Sequence, residues 1–158
     1  MPTGVSLHRL PPVSTDDPTI VRLIAFGAAE HPGIGEPPEL RERLAAAIAL
    51  GAENLEARAA DLYLATACIA GDPAAIALLD ASLPAIIRPA LARLGIPVCD
   101  DDEIAQRVRV ALLVRNEAGD CGLAGYSGRG ELRAYVRSAA LRIALKRIER
   151  ETAPDDGK

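Results

Sequence analysis

The chain has 158 residues, about one domain's worth, and its 49% hydrophobic and 25% charged side chains are a globular composition that excludes a disordered chain. Net charge is −4 but unevenly spread: residues 1–128 carry 10 basic and 17 acidic side chains, residues 129–150 carry 7 and 2, and residues 151–158 carry 1 and 3. No run of about eighteen apolar residues interrupts the chain, so no membrane-spanning helix is expected, and the N-terminus MPTGVSLHRLPPVSTDD lacks the charged and apolar blocks of a secretory signal. With aromatics at 3%, the core must come from Ala, Leu, Ile and Val, which favours closely packed helices.

In chain order, residues 1–15 read as an irregular arm. Asp17 and Pro18 form an N-cap with proline in the first turn and open a helix through Ala29, closed by His31-Pro-Gly. Pro37 and Pro38 open a helix over 38–50, ended by Gly51. Asn54 caps a third, LEARAADLYLATACIA, in which Leu55, Ala59, Leu62 and Ile69 form one apolar stripe ending at Gly71. Asp61 and Tyr63 within it read as structural. Asp72 and Pro73 start a fourth helix. Pro84 predicts a break there and a restart, with the second piece ending at Gly95.

Asp100 to Glu103 place negative charge at the start of a helix running to about Arg115. The glycine-rich loop NEAGDCGLAGYSGRG follows, and then a helix from Gly130 to Arg150. That last helix carries two apolar stripes, Leu132, Val136, Ala139 and Ile143 on one side and Leu141, Leu145 and Ile148 on the other, as a helix buried between neighbours would. Arg133 and Arg137 share one side, Arg142 and Lys146 another. The tail TAPDDGK reads as linker.

Three widely spaced cysteines, Cys68, Cys99 and Cys121, suit free thiols in a reducing cytoplasm. His8 and His31 lie in proline-flanked segments and suggest no metal site. The glycine loop lacks the Lys-Ser/Thr ending of a phosphate-gripping loop, the acidic cluster lacks the spacing of a calcium loop, and Ser127 has no convincing base beside it. No catalytic constellation is apparent, so neither an enzyme nor a cofactor is expected.

Three blocks in order carry a resemblance: GDPAAIALLDASLPAIIRPALARLG, DDDEIAQRVRVALL and YSGRGELRAYVRSAALRIALKRIER. Together they resemble the second conserved region of bacterial sigma-70-type transcription initiation factors of the extracytoplasmic-function kind, and the upstream block AADLYLATACIAGDPAAI with the phrase YSGRGELRAYVR looks most like a divergent myxobacterial-type subgroup. The resemblance covers about half the chain. It implies an all-α helical bundle, with residues 1–70 as a helical N-terminal extension, 71–150 as the sigma region 2-like domain and 151–158 as a tail.

The resemblance also implies function: binding of RNA polymerase core, and recognition and melting of the −10 promoter element in the cytoplasm. Glu103, Gln106 and Arg107 fall where the family docks on a coiled coil of the polymerase's largest subunit, Arg107 replacing a residue that is commonly acidic. Tyr126, Ser127, Arg129, Arg133, Tyr135, Arg137, Arg142 and Lys146 fall where it holds the unpaired non-template strand. An anti-sigma factor is a further partner of this kind of domain, and no membrane partner is implied.

Cations for phosphates and an aromatic surface for an unstacked base are what that role needs. The glycines at 122, 125, 128 and 130 would let the backbone approach a nucleotide. Tyr135 falls on the apolar stripe and reads mainly as core; Tyr126, in a polar loop, reads as exposed. Glu103 alone would be helix-start charge compensation, and Gln106 has no local structural duty. The competing expectation is a helical interaction module of the same fold that binds a protein partner, or occupies polymerase as a decoy, without reading DNA.

Overall fold

Aspartate followed by proline opens two of the helices as the sequence suggests. In the computed structural model, which describes residues 14–96 and 101–152, the Asp17 carboxylate accepts from the Thr19 N–H at 2.7 Å and starts α1, Pro18–Glu30. Asp72 accepts from the N–H groups of Ala74 and Ala75 at 2.8 and 3.2 Å and starts α4, Pro73–Arg93. In each, proline takes a first-turn position whose missing N–H would have had no helical partner.

Between them lie α2, Leu40–Ala49, and α3, Leu55–Ile69; α5, Asp101–Leu113, a 3-10 turn over Gly122–Gly125 and α6, Leu132–Thr152, complete the fold. The protein is an all-α bundle, with no strand among the described residues. Gly51, Gly71 and Gly95 close α2, α3 and α4 with positive φ, as glycine caps should.

Other helix starts differ from the sequence reading. α2 begins two residues after Pro38, because Glu39 takes a left-handed φ of 70°. Asn54 stands at the α3 start with φ 54°, but its side chain makes no capping hydrogen bond.

The expected break at Pro84 is absent: α4 is one helix of 21 residues containing Pro84 and Pro89. Both prolines lie on its exposed face, where the carbonyls they leave free can meet water. On the other face Leu83, Ile86, Ile87 and Leu91 are buried. Burying each contributes roughly 1.5–3 kcal/mol, enough to offset about 3 kcal/mol per proline. By length and apolarity α4 could cross a membrane, but this buried face packs against α3, α5 and α6.

α3 is the central element, in contact with α1, α2, α4, α6 and the 3-10 turn. Its buried side chains, Ala59, Leu62, Tyr63, Ala65, Ala67 and Cys68, belong to one cluster that also takes in Ile20 and Leu23 of α1, Leu44 of α2, Leu83 and Ile87 of α4, Val108 of α5 and Val136 of α6. Cys68 and Cys121 are both buried free thiols.

On α6 the first stripe is the better packed, although its Ile143 is only half-buried. Leu132, Val136, Ala139, Ala140 and Ala144 are buried, whereas Leu141 and Ile148 are half-buried and Leu145 is 48% exposed. α6 is covered by α4 and α5 with a small contact to α3, which leaves its outer face to solvent.

Candidate nucleic-acid and protein interface

The loop between α5 and α6 is fastened from several sides. Asn116 folds its first part, the side-chain oxygen accepting from the N–H groups of Ala118 and Asp120 at 2.9 and 3.1 Å. The Arg115 guanidinium donates to the carbonyls of Gly119 and Ile69, tying the loop to the end of α3. Farther on, Arg43 of α2 donates to the Tyr126 carbonyl at 3.3 Å.

Asp61 of α3 accepts from the Leu132 N–H at 3.0 Å, capping α6 from another helix, and pairs with Arg58 at 3.3 Å. Asp61 and Arg43 therefore hold the end of the loop, although nothing local in the sequence connects them to it: their partners are 71 and 83 positions away.

Tyr126 is not exposed. It is 3% accessible, and its hydroxyl donates to the Gly130 carbonyl at 2.6 Å and lies 3.4 Å from Asp61. Burial, with the Asp61 carboxylate beside it, pushes its phenol above the ordinary tyrosine range. Its ring meets Tyr135 edge-on at 5.5 Å. Tyr135 is half-buried and donates to the Gly122 carbonyl at 2.7 Å.

Two loop glycines serve the protein's own packing. A Cβ on Gly122 would collide with the Ala111 carbonyl of α5. Gly128 combines φ +83° with Leu62 of α3, whose Cδ1 would lie 2.7 Å from an added Cβ. A polar, glycine-rich stretch reads as solvent-exposed loop, and only the tertiary fold reveals that it is clamped.

Beside the clamp is a cleft of about 380 Å³ lined by Tyr126, Ser127, Arg129, Tyr135, Ser138 and Arg142 among others. It gathers five of the eight residues that the resemblance would assign to a strand of nucleic acid. The remaining three divide. Lys146 lines an adjoining groove of about 510 Å³ together with Tyr135 and Arg142. Arg133 and Arg137 line neither. At about 100° per residue, Arg133 and Arg142 face opposite flanks of α6, as do Arg137 and Lys146. Arg129, Arg133, Arg137, Arg142 and Lys146 are exposed and have no ion pair or hydrogen bond among the described residues.

Glu103, Gln106 and Arg107 lie on the exposed side of α5, opposite the buried Ile104, Val108 and Leu112. Glu103 accepts from Arg107 at 2.9 Å and pairs with Arg147 of α6 at 3.0 Å. The Gln106 side-chain oxygen accepts from Arg109, which also pairs with Asp80 of α4. Arg147, a cation by sequence, is thus engaged by Glu103 and also by Glu151. Gln106 and Arg107 line a groove of about 340 Å³ with Val110, Ala111, Ile143, Lys146 and Arg150, continuous with the one beside Lys146. Gln106 and Arg107, assigned to polymerase, and Tyr135, Arg142 and Lys146, assigned to DNA, therefore border one continuous face between α5 and α6.

Among the described residues no three His, Cys, Asp or Glu side chains come together as a metal site requires. No family model matches the chain, and no curated protein or solved structure does.

Proposed function

We propose that this chain is a sigma-70-type, region 2-like domain that binds RNA polymerase core through the outer side of α5 and holds the unpaired −10 strand at the cleft beside α6. The observation that carries it is the cleft itself, which combines Ser127, Arg129 and Arg142 with one face of Tyr135. Phosphates would be neutralised by Arg129 and Arg142, whose guanidinium groups are not taken by carboxylates among the described residues. An unstacked base would lie against Tyr135, the aromatic side chain of the pair that keeps partial exposure. Tyr126 supports Tyr135 from behind and does not itself contact the base.

A second reading is favoured by a specific observation. The faces of α5 and α6 beside the cleft expose Val110 and Leu145, which a strand of DNA does not need. On that reading the domain is an interaction module or polymerase decoy that does not read DNA.

Binding of a fluorescent single-stranded −10 library, with and without polymerase core at fixed moderate salt, separates the two. Sequence-selective binding in the presence of core, weakened by Arg142→Ala more than by Arg133→Ala, is the expected result. Core binding with no DNA selectivity would leave the interaction module or decoy, and binding to neither would remove the sigma-like reading and the decoy.

A further inference from the structure

The groove between α5 and α6 has a composition of its own. Its floor is aliphatic, formed by Ala111, Leu112, Ala139 and Ile143, and its edges carry Val110 at 46% and Leu145 at 48% exposure. Along the rim stand Arg107, Arg142, Lys146 and Arg150. Glu149 is the one acid among the lining residues, and it is already engaged. Arg107 is already paired with Glu103, and the remaining Arg142, Lys146 and Arg150 against Glu149 leave this face net positive on a chain whose net charge is −4. From Tyr135 to Arg150 the groove follows about 22 Å of α6, at about 1.5 Å per residue, the length of a partner helix of roughly four turns.

We propose that this groove binds an acidic amphipathic helix of a protein partner, its apolar stripe on Ala111, Ile143 and Leu145 and its carboxylates on Arg142, Lys146 and Arg150. Apolar anchors in a groove with charge pairs at its edge are the usual chemistry of helix-in-groove recognition. Nucleic acid fits less well, because Tyr135 at one end is the one aromatic ring in the lining and the rest of the floor offers bases nothing to stack on. Occupancy would cover Arg142 and Lys146, so such a partner and a nucleic-acid strand would compete. The proposal goes beyond the strand-holding assignment and stands without it, since neither polymerase nor DNA enters its test.

The test uses the full chain and a synthetic peptide of about 18 residues, enough to span the groove, with Leu at i, i+3, i+4 and i+7 and Glu flanking them. A scrambled peptide of equal composition and one with Lys for each Glu serve as controls. Binding is read by fluorescence anisotropy, and circular dichroism verifies that each protein variant is folded.

The expected result is saturable binding of the acidic amphipathic peptide alone. Lys146→Glu and Leu145→Asp should each weaken it about tenfold, and Arg133→Glu, on the opposite flank, less than about twofold. Leu145 and Lys146 are both exposed, so neither change disturbs the core. No saturation by about 1 mM peptide, equal binding of the scrambled peptide, or equal weakening by Arg133→Glu would overturn the proposal. The last two outcomes would mean diffuse charge attraction and no groove.

Discussion

Thr66 lies in the last turn of α3 with 2% of its surface exposed, and its hydroxyl has no hydrogen-bond partner among the described residues. A buried hydroxyl left unpaired costs about 1–3 kcal/mol. Thr66→Val keeps the branched shape and removes that desolvation, so it should raise unfolding stability by about 1 kcal/mol in urea titration. A loss of stability would show that the hydroxyl is satisfied in solution.

Cys68, two residues on, makes a prediction about pH. Burial chiefly, with Asp72 and Cys121 adding to it, pushes its thiol up to about 12. The folded state therefore holds a proton that the unfolded chain releases near the ordinary thiol range, about 8.5. Stability is fully present below that range and falls as pH rises toward 12. The buried Tyr63 and Tyr126 phenols, also raised, act in the same direction. Urea midpoints measured from pH 8 to 11 should drop less steeply in Cys68→Ala than in the parent chain. Parallel slopes would mean that Cys68 does not govern the alkaline limb.

At the scale of the elements, α4 carries a removable burden. Pro84 sits on its exposed face and deprives the Asp80 carbonyl of its helical donor. Replacing it with alanine restores that bond without touching the buried face, so Pro84→Ala should stabilise the protein by about 2–3 kcal/mol. A thermal melt showing no gain would mean that α4 is already distorted so as to relieve the proline. The same helix marks the limit of local reading. Its start at Asp72-Pro73 and its end at Gly95 were legible, because N-caps and glycine caps are set by neighbouring residues. Its continuity through Pro84 was not, because burial against α3, α5 and α6 decides it. The candidate site divides likewise. Exposed cations on α6 follow from helical spacing, whereas the burial of Tyr126 depends on Asp61 and Arg43, whose contacts only folding brings about.

For the whole molecule, the question is what residues 1–70 do. The resemblance begins at Asp72 and suggests an extension ahead of a domain, yet α3, which ends at Ile69, touches α1, α2, α4 and α6. Without it, the fragment 71–158 would expose its apolar partners on α4 and α6. It would also lose Asp61 from the α6 N-terminus, Leu62 from against Gly128 and Arg43 from the Tyr126 carbonyl. A domain survives alone only if the core it keeps outweighs the conformational entropy of ordering it, and here the missing segment supplies the most enclosed helix. The fragment is therefore expected to have low helicity and no cooperative thermal transition by circular dichroism, while the full chain melts in one step. A cooperative melt of 71–158 would make the first three helices an appendage. It would also mean that the loop between α5 and α6 holds its shape without Asp61, leaving the cleft beside Tyr135 independent of α3.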